Sequence, residues 1–346
     1  MTEISNYSRM LHLGDPASTA TLLSRAAQQR GARWDVLPFA AAPGGGAVPA
    51  LLRKAARGLL WEGSLLRRRA AVPRVHVHNA LARRHAGWAF GRRFALHLHG
   101  TDIRTRQYEP EHGELIRRTV RDAQVVFYST PDLRRHVQDL REDARLVPVP
   151  VPLPGPSTAP LPPALREIGE GRPYVFFPSR WEAAKGGELQ IELVRSLREA
   201  IAPSEAVLVG LDWGGRAGDA SRAGATLIPT MPHAAFRSVI SGASACVGQL
   251  TGVLGASELD VLAADVPLIM PLRTDWYDGS HPSLDSPPVL GGTALDLPDA
   301  PEPIVRCVLG ALSGDTRSPT RDWVRSHHSP DAALDEVLRG YRESGW

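Results

Sequence analysis

Residues 248–269 read GQLTGVLGASELDVLAADVPLI, and the pattern of this stretch decides the fold. It starts with the end of an apolar strand, passes through a glycine-containing turn, and continues as a helix. Ala-Asp-Val-Pro then leads into a second apolar strand. Buried strands that alternate with helices are typical of a parallel, doubly wound sheet, in which ligands bind beyond the carboxyl ends of the strands. The turn therefore lies where a ligand site is expected.

The turn and the following helix also carry polar groups suited to a ligand. The backbone N–H groups of Leu254, Gly255 and Ala256 are expected at the helix N-terminus, where they form an anion site. Glu258 and Asp260 lie in the first turns of the helix and could accept hydrogen bonds from ribose hydroxyls. These five residues are the candidate nucleotide-binding residues of this segment.

The same alternation of strand and helix extends over most of the chain. Ten short apolar segments read as strands, and helix-like stretches separate them. They are residues 8–14, 32–39, 72–79, 92–100, 122–130, 173–179, 205–211, 225–230, 244–250 and 267–272. The pattern predicts an α/β protein with two doubly wound parallel sheets.

A proline-dense stretch, LVPVPVPLPGPSTAPLPP at 146–163, divides the two series of strands. Such a stretch forms neither a helix nor a central strand. We therefore expect a first Rossmann-like domain over 1–150, a linker over 151–165 and a second Rossmann-like domain over 166–320. The segment 321–346 is expected to form C-terminal helices that pack back on the first domain.

The segment SRWEAAKGG at 179–187 places one arginine and one lysine at the end of a predicted strand. Only Lys54 and Lys185 are lysines in a chain with 40 lysines and arginines. Arg180 offers a planar fork of donors and Lys185 a point charge, and together they could neutralise a diphosphate. The alternative is that both are solvated cations at a strand-to-helix turn.

The composition is that of a folded globular protein, with 43% hydrophobic and 22% charged residues. The net charge of +3 is dispersed, which is unlike a nucleic-acid-binding protein. Cys246 and Cys307 fit no metal-ligand spacing, and a reducing cytosol is the expected environment. We expect neither a signal peptide nor a membrane span, since the N-terminus is polar and no apolar run reaches 18 residues or so.

The segment RWEAAKGG resembles the Arg-x4-Lys-Gly element of retaining, family 4 type glycosyltransferases with the GT-B fold. Residues 248–269 resemble their Glu-x-Phe-Gly…Leu-Glu-Ala-Met-Ala-x-Gly-x-Pro-Val element, with Gly255, Asp260 and Pro267 at the matching glycine, second glutamate and proline. LHLHGTDIR at 96–104 is similar to their His-Gly-x-Asp element. Residues 125–137, 230–247 and 321–343 also resemble the corresponding parts of these enzymes, in the same order.

The resemblance implies two Rossmann-like domains that face a central cleft, and transfer of a sugar from a nucleotide diphosphate donor to a hydroxyl acceptor with retained configuration. UDP is the commonest donor nucleotide of such enzymes, and the family needs no metal and no cofactor. Arg180, Lys185 and the helix N-terminus at Gly255 would stabilise the leaving diphosphate. His99 and Asp102 would face the sugar across the cleft, and Gly14-Asp15 replace a glycine pair near the donor.

Two positions depart from the family pattern. The first glutamate of the family element falls on Gly252, and its second glutamate is the shorter Asp260, although Glu258 lies nearby. These departures leave two alternatives open: a nucleotide-binding relative without turnover, and a nucleotide-sugar epimerase with the same fold. The acceptor could be a lipid-linked glycan, a cell-wall precursor or a secondary metabolite.

The histidines suggest no metal site along the sequence. His76, His78 and His97 alternate along strands and are interpreted as structural, while His327 and His328 are interpreted as a loop feature. No acidic pair and no His/Cys cluster has metal-ligand spacing, which agrees with the metal-independent chemistry that the resemblance implies.

Residues 48–70 predict a basic amphipathic helix that could lie on anionic lipid. The alternative is a surface helix that packs one side on its own sheet. The sequence as a whole therefore predicts a cytoplasmic enzyme with a peripheral membrane contact as one option.

Overall fold

The computed structural model describes residues 3–39, 50–91, 93–153, 161–167, 171–202, 206–281, 284–290, 300–314 and 319–346. Side chains are described over the same ranges, apart from 50–57 and 164. The chain forms two compact units. Unit 1 comprises Met1–Pro150 together with Pro330–Trp346, and unit 2 comprises Val151–Ser329.

Unit 1 contains a parallel sheet in the order β2–β1–β3–β4–β5–β6. Its strands are β1 (Arg9–Leu13), β2 (Arg33–Leu37), β3 (Arg74–Val77), β4 (Phe94–Leu98), β5 (Val125–Tyr128) and β6 (Arg145–Leu146). The helices are α1 (Thr19–Gln29), α2 (Ala50–Ala71), α3 (Arg83–Phe90), α4 (Gly113–Asp122), α5 (Arg134–Val137) and the C-terminal α13 (Pro330–Glu343). All residues of β4 and β5 are buried, as expected for strands covered on both faces.

The C-terminal helix α13 is part of the core of unit 1. Its apolar residues Leu334, Val337 and Tyr341 are fully buried in one cluster with Met10 and Phe127. Gly340 allows this close packing, since a Cβ atom there would lie 2.4 Å from Cε1 of Phe127.

Unit 2 contains a second parallel sheet in the order β11–β10–β7–β8–β9. Its strands are β7 (Tyr174–Phe177), β8 (Val207–Leu211), β9 (Thr226–Ile228), β10 (Ala245–Val247) and β11 (Leu268–Ile269). Its helices are α6 (Pro163–Glu167), α7 (Gly187–Ala200), α8 (Ala217–Ala223), α9 (His233–Gly242), α10 (Ala256–Ala263), α11 (Glu302–Ser313) and α12 (Arg321–His328).

The ten strands expected from the sequence are all present, and each is shorter than its apolar segment because the ends turn into loops. The short strand β6 was not expected. It lies at the start of the proline-dense stretch, where Arg145 and Leu146 pair with β5.

The C-terminal segment was expected to join the first domain from residue 321, whereas the structure returns to unit 1 at Pro330. Helix α12 belongs to unit 2, where the Thr320 hydroxyl donates to the carbonyl of Leu262 at 2.6 Å. His327 and His328 were predicted to lie in a loop, and this is wrong because both lie in α12.

Two expectations about the chemistry of the chain concern the cysteines and the membrane. Cys246 and Cys307 are both free thiols, and Cys246 is buried on β10. In the described parts of the chain, no helix combines the length and the apolar character that crossing a bilayer demands.

Candidate functional site

The order of strands in unit 2 places the ends of β7 and β10 side by side. From β7 the chain builds the sheet in one direction through β8 and β9, and later in the other direction through β10 and β11. Neighbouring parallel strands that lead to opposite sides leave a crevice beyond their carboxyl ends, and ligands of doubly wound sheets bind there. The segments 178–187 and 248–256 both lie at this point.

Lys185 connects these two segments. Its Nζ donates to Oε1 of Gln249 at 3.0 Å, and its carbonyl accepts the backbone N–H of Leu250 at 2.9 Å. Gly186 has φ +126°, and a Cβ atom there would lie 2.8 Å from Cβ of Leu250. The glycine after the lysine is therefore required by the close approach of the two segments.

Arg180 has different partners. Its guanidinium pairs with Glu182 at 2.8 Å and lies over the ring of Trp213, 5.1 Å from the ring centroid. An arginine on an aromatic face with a carboxylate at its edge is held by both interactions. The structure thus positions Arg180 beside the loop after β8 and Lys185 beside the loop after β10.

Trp181 fixes the loop between these two cations. Its side chain is fully buried and its Nε1 donates to the carbonyl of Leu211 at 2.9 Å. The backbone N–H of Trp181 donates to Trp213, and Gly210 leaves room for the indole, since a Cβ atom at 210 would lie 2.4 Å from it. Sequence reasoning assigned no role to Trp181, although a tryptophan between the two cations was a visible signal.

Glu258 was predicted to bind ribose hydroxyls, and the structure gives its carboxylate another role. The side chain is fully buried. Oε1 accepts from the Ser179 hydroxyl at 2.6 Å and from the Gln249 N–H at 3.2 Å, while Oε2 accepts from the Gly255 N–H at 3.1 Å. This carboxylate therefore joins the ends of β7 and β10 to the start of α10 and is not available to a ligand.

The predicted anion site at the start of α10 is partly occupied by protein groups. Helix α10 begins at Ala256, as the sequence predicted. The Leu254 N–H donates to the Tyr277 hydroxyl at 3.3 Å, and the Gly255 N–H donates to Glu258. Two of the three predicted amides, those of Leu254 and Gly255, are therefore already hydrogen-bonded.

Asp260 is paired with a histidine. The carboxylate is 7% exposed, and its Oδ2 lies 2.7 Å from Nε2 of His233, the first residue of α9. The hydrogen bond to Asp260 raises the pKa of His233, and burial opposes that increase. The Asp260–His233 pair joins α9 to α10 beside the candidate site.

Arg273 occupies the space next to Gly252, the position that carries a glutamate in the family pattern. Gly252 has φ +79°, and a Cβ atom there would lie 2.7 Å from Cγ of Arg273. The guanidinium of Arg273 forms two hydrogen bonds of 2.9 Å to the carboxylate of Asp275 and lies over the ring of Trp276. The Arg273 side chain therefore lies against the backbone position at which the family pattern has a glutamate.

The candidate donor residues of unit 1 serve the fold. Gly14 has φ +90°, and a Cβ atom there would lie 2.4 Å from Cε2 of Phe39. Asp15 accepts from the N–H of Thr21 at 3.1 Å and from its hydroxyl at 2.6 Å. The Asp15 carboxylate thus fixes the first turn of α1, which begins at Thr19 rather than directly after Asp15.

Asp102 was predicted to face the sugar, and the structure buries it instead. Oδ2 accepts from the Ala80 N–H at 3.3 Å and Oδ1 from the Ile103 N–H at 3.0 Å. Burial raises the pKa of Asp102, while these N–H donors act in the opposite direction. The side chain is 5% exposed and connects two turns of unit 1.

His99 lies at the end of β4, as expected, and both of its ring nitrogens contact other groups of unit 1. Nε2 lies 3.0 Å from Nδ1 of His78, and Nδ1 lies 2.9 Å from the Ser129 hydroxyl. The structure thus places His99 in a group of stacked imidazoles, the histidine cluster: His12, His76, His78, His97 and His99.

The histidine cluster contradicts the expectation from the sequence that no histidines lie at metal-ligand spacing. Within the described residues, one ring nitrogen each of His12, His76 and His78 lie within 4.8 Å of one another, and so do those of His78, His97 and His99. The signal in the sequence was a repeated His-x-His at the ends of two strands, 76–78 and 97–99. Alternate residues point to the same face, and β3 pairs in parallel with β4.

Comparisons with known proteins identify the fold. The sequence matches no protein-family model and none of the curated proteins. Among solved structures, a glycosyltransferase from Rickettsia africae is similar at 10% identity, covering 97% of this chain and 98% of that chain, with a TM-score of 0.62. A UDP-forming α,α-trehalose-phosphate synthase from Burkholderia xenovorans is similar at 12% identity over 98% and 99% of the chains, with a TM-score of 0.63.

A third similar structure carries a different activity in its description, a UDP-N-acetylglucosamine 2-epimerase from Listeria monocytogenes. It is 13% identical over 98% of this chain and 96% of that chain, with a TM-score of 0.54. These full-length likenesses and the two parallel sheets show that the chain has the GT-B fold, which confirms the fold that the sequence predicted.

Proposed function

We propose that this protein is a retaining glycosyltransferase that moves a hexose-type sugar from a nucleotide diphosphate donor to a hydroxyl acceptor. The observation that carries the proposal is the position of Lys185. Lys185 is one of only two lysines in a chain with 40 lysines and arginines. Its ammonium group donates a hydrogen bond to Gln249 at the point where β7 and β10 end side by side. This crevice is where a doubly wound sheet binds a nucleotide, and Lys185 brings positive charge to it.

In the proposed reaction the bond between the anomeric carbon and the diphosphate oxygen breaks, and the diphosphate keeps the electron pair. The acceptor oxygen forms the new bond on the same face of the sugar, and the hydroxyl proton passes to the leaving phosphate. Lys185 and Arg180 stabilise the negative charge that develops on the diphosphate. Ala256, at the start of α10, adds the favourable end of the helix dipole.

Protein groups keep these elements in position. The buried carboxylate of Glu258 binds the end of β7 through Ser179 and the start of α10 through Gly255. Asp260 is assigned to the positioning of α9 through His233. Asp102 and Asp15 have structural partners, and His99 is given no role in transfer because it belongs to the histidine cluster of unit 1.

UDP is proposed as the donor nucleotide. One structural neighbour is described as a UDP-forming synthase, and the family that the sequence resembles uses UDP most often. We propose that transfer needs no metal, since the two cations Arg180 and Lys185 supply the charge that a metal would otherwise provide.

We also propose that α2 brings the enzyme to a lipid surface that carries the acceptor. Leu59 and Leu60 are 73% and 74% exposed, and Leu66 is 56% exposed, whereas Leu65 is fully buried. The helix therefore packs on unit 1 through one part of its surface and leaves leucines outside. The first part of the predicted helix, 48 and 49 and the side chains of 50–57, lies outside the described residues.

Replacement of Lys185 tests the proposal. UDP, GDP and ADP are compared in a thermal-shift assay, and release of the diphosphate from UDP-sugars is then followed with a panel of acceptors. Lys185→Ala should lower turnover by about 10²–10³-fold, as loss of a transition-state donor does, and Arg180→Lys should lower it less because the charge is retained.

Arg222→Ala is the matched control. Arg222 is a 76% exposed cation of unit 2 on α8, and its removal should leave turnover unchanged. Unchanged turnover in a folded Lys185→Ala variant would refute the role of Lys185. A diphosphate that binds without turnover over all acceptors would favour a binding protein, and release of a 2-epimer without an acceptor would favour an epimerase.

A further inference from the structure

Five of the twelve histidines of the chain meet in unit 1, outside the residues assigned to transfer. His12 on β1 lies in register with His76 on β3, and His97 lies on the neighbouring strand β4. His78 and His99 directly follow the last residues of β3 and β4. His12, His76, His78 and His97 are fully buried, and His99 is half-buried.

Three members of the histidine cluster have one ring nitrogen within hydrogen-bond distance of a neighbour that can fix the ring. His78 Nε2 lies 2.8 Å from His12 Nδ1, His99 Nδ1 lies 2.9 Å from the Ser129 hydroxyl, and His97 Nε2 lies 3.3 Å from the same hydroxyl. The other nitrogens are Nδ1 of His78 and Nε2 of His99, which lie 3.0 Å from each other, and Nδ1 of His97, which has no hydrogen-bond partner among the described residues. Histidines that bind metals show this arrangement, with one nitrogen held by a second residue and the other on the ion.

The cluster contains polar atoms that the protein does not satisfy. Among the described side chains, Nδ1 of His97 and Nε2 of His12 and His76 are buried without a hydrogen-bond partner. A buried polar atom without a partner is destabilising, and of these three the Nδ1 atom of His97 belongs to the group of His78, His97 and His99 that could hold a metal ion.

We propose that unit 1 binds one Zn²⁺ ion through His78 Nδ1, His97 Nδ1 and His99 Nε2, with Ser129 and His12 holding the outer nitrogens. Two nitrogens that bind one zinc at about 2.0–2.1 Å in tetrahedral geometry are roughly 3.3 Å apart. His78 Nδ1 and His99 Nε2 are 3.0 Å apart in the structure. A fourth ligand position remains for water, and the half-buried His99 provides the route of entry.

The triad of His12, His76 and His78 is the less suitable of the two. All three of its members are fully buried, so it offers no access, and His76 Nδ1 lies against the Tyr341 hydroxyl at 2.5 Å. Imidazole ligands suit zinc, copper and nickel, and zinc is proposed because three histidines with an open fourth position are a known zinc ligand set.

Metal binding is tested on full-length protein without a histidine tag. The protein is treated with a chelator, the chelator is removed, and ZnSO₄ is titrated in competition with a chromophoric chelator. One equivalent should bind, and Co²⁺ should give the intense visible absorption of a tetrahedral site. His97→Gln should weaken zinc binding by at least about 100-fold, and Ser129→Ala by about 10–100-fold.

His76→Gln is the matched control, since His76 is equally buried but belongs only to the other triad. It should bind zinc as the parent does. His99→Gln, at the half-buried edge of the cluster, serves as a second ligand variant if His97→Gln fails to fold, which circular dichroism shows.

Three outcomes would overturn the assignment. They are binding of less than one equivalent, parental affinity in both ligand variants, and loss of binding in His76→Gln with retention in His97→Gln. None of these readouts depends on glycosyl transfer, so the zinc site and the proposed function can fail independently.

Discussion

Gly252 shows how one residue can change the chemistry of a site. The family pattern has a glutamate at this position, and here the backbone has φ +79° with the Arg273 side chain against it. A side chain at 252 would be strained by the backbone conformation and would collide with Arg273. The departure from the pattern is therefore accompanied by a local structure that excludes the missing carboxylate.

Gly252→Ala is expected to destabilise unit 2 by roughly 2–4 kcal/mol, because the strain of the left-handed backbone is added to a steric clash. Gly279→Ala is the matched control. Gly279 has φ +70° and no atom within 4 Å of an added Cβ, so only the backbone cost of about 1–2 kcal/mol applies. Urea unfolding of both variants measures the difference, and equal losses would contradict the clash with Arg273.

Glu258 illustrates what residue-level reasoning from sequence missed. A glutamate in the first turn of a helix is compatible both with ligand binding and with a structural role. Its partners Ser179 and Gln249 lie 79 and nine residues away, and their approach depends on the pairing of β7 with β10. The sequence located the segment correctly, but the direction of the carboxylate depended on the fold.

The contact between α9 and α10 has a defined pH dependence. His233 and Asp260 form a hydrogen-bonded pair, and this bond raises the pKa of His233 above its usual value of about 6.5. Protonation is therefore more favourable in the folded than in the unfolded state. The stability that the pair contributes is fully present below the unfolded pKa and is lost as the pH rises through the folded pKa.

We therefore expect His233→Gln to reduce the free energy of unfolding by about 0.2–1 kcal/mol at about pH 5.5, and by less at about pH 8.5. The effect is small because the His233 side chain is 54% exposed. Urea unfolding of the parent and the variant at both pH values measures it. A larger loss at the higher pH would show that the sign is wrong.

Helix α2, like the contact between α9 and α10, allows a prediction at the scale of a single element. Replacement of Leu59 and Leu60 by serine should reduce binding to anionic vesicles by about tenfold or more, because each exposed leucine would otherwise bury apolar surface in the lipid. Co-sedimentation with anionic and neutral vesicles measures binding. Leu309→Ser, which changes an exposed leucine of unit 2, should bind as the parent does. Equal binding by the double variant would favour a surface helix that only packs on its own sheet.

At the scale of the whole molecule, the two units differ in the number of chain segments that form them. Unit 2 is one continuous segment, whereas unit 1 needs the distant residues 330–346. That segment contributes six buried residues to the core of unit 1: Ala333, Leu334, Val337, Leu338, Tyr341 and Trp346. Their burial contributes on the order of 10 kcal/mol, which is comparable with the whole stability of a domain.

A fragment of residues 151–329 should therefore fold by itself and unfold cooperatively, while a fragment of residues 1–150 should not. Heteronuclear NMR and thermal unfolding of the two fragments, with the full chain as reference, test this. Addition of a peptide of residues 330–346 to the 1–150 fragment should restore cooperative unfolding. A cooperative transition of the 1–150 fragment without the peptide would show that α13 is dispensable.

The sequence by itself determined the alternation of strands and helices, the start of α10 and the position of Lys185 between a strand and a helix, because local propensity and period specify these features. The GT-B fold was predicted through the resemblance of its motifs, in their order, to those of a known family. The tertiary structure decided which side chains meet. Glu258 and Asp102 became structural, Arg273 came to lie beside Gly252, and five histidines from three strands formed one cluster. The physical reason is that these contacts depend on which strands are neighbours and in which register, and residues as far apart as His12 and His78 carry no mark of their pairing in the sequence.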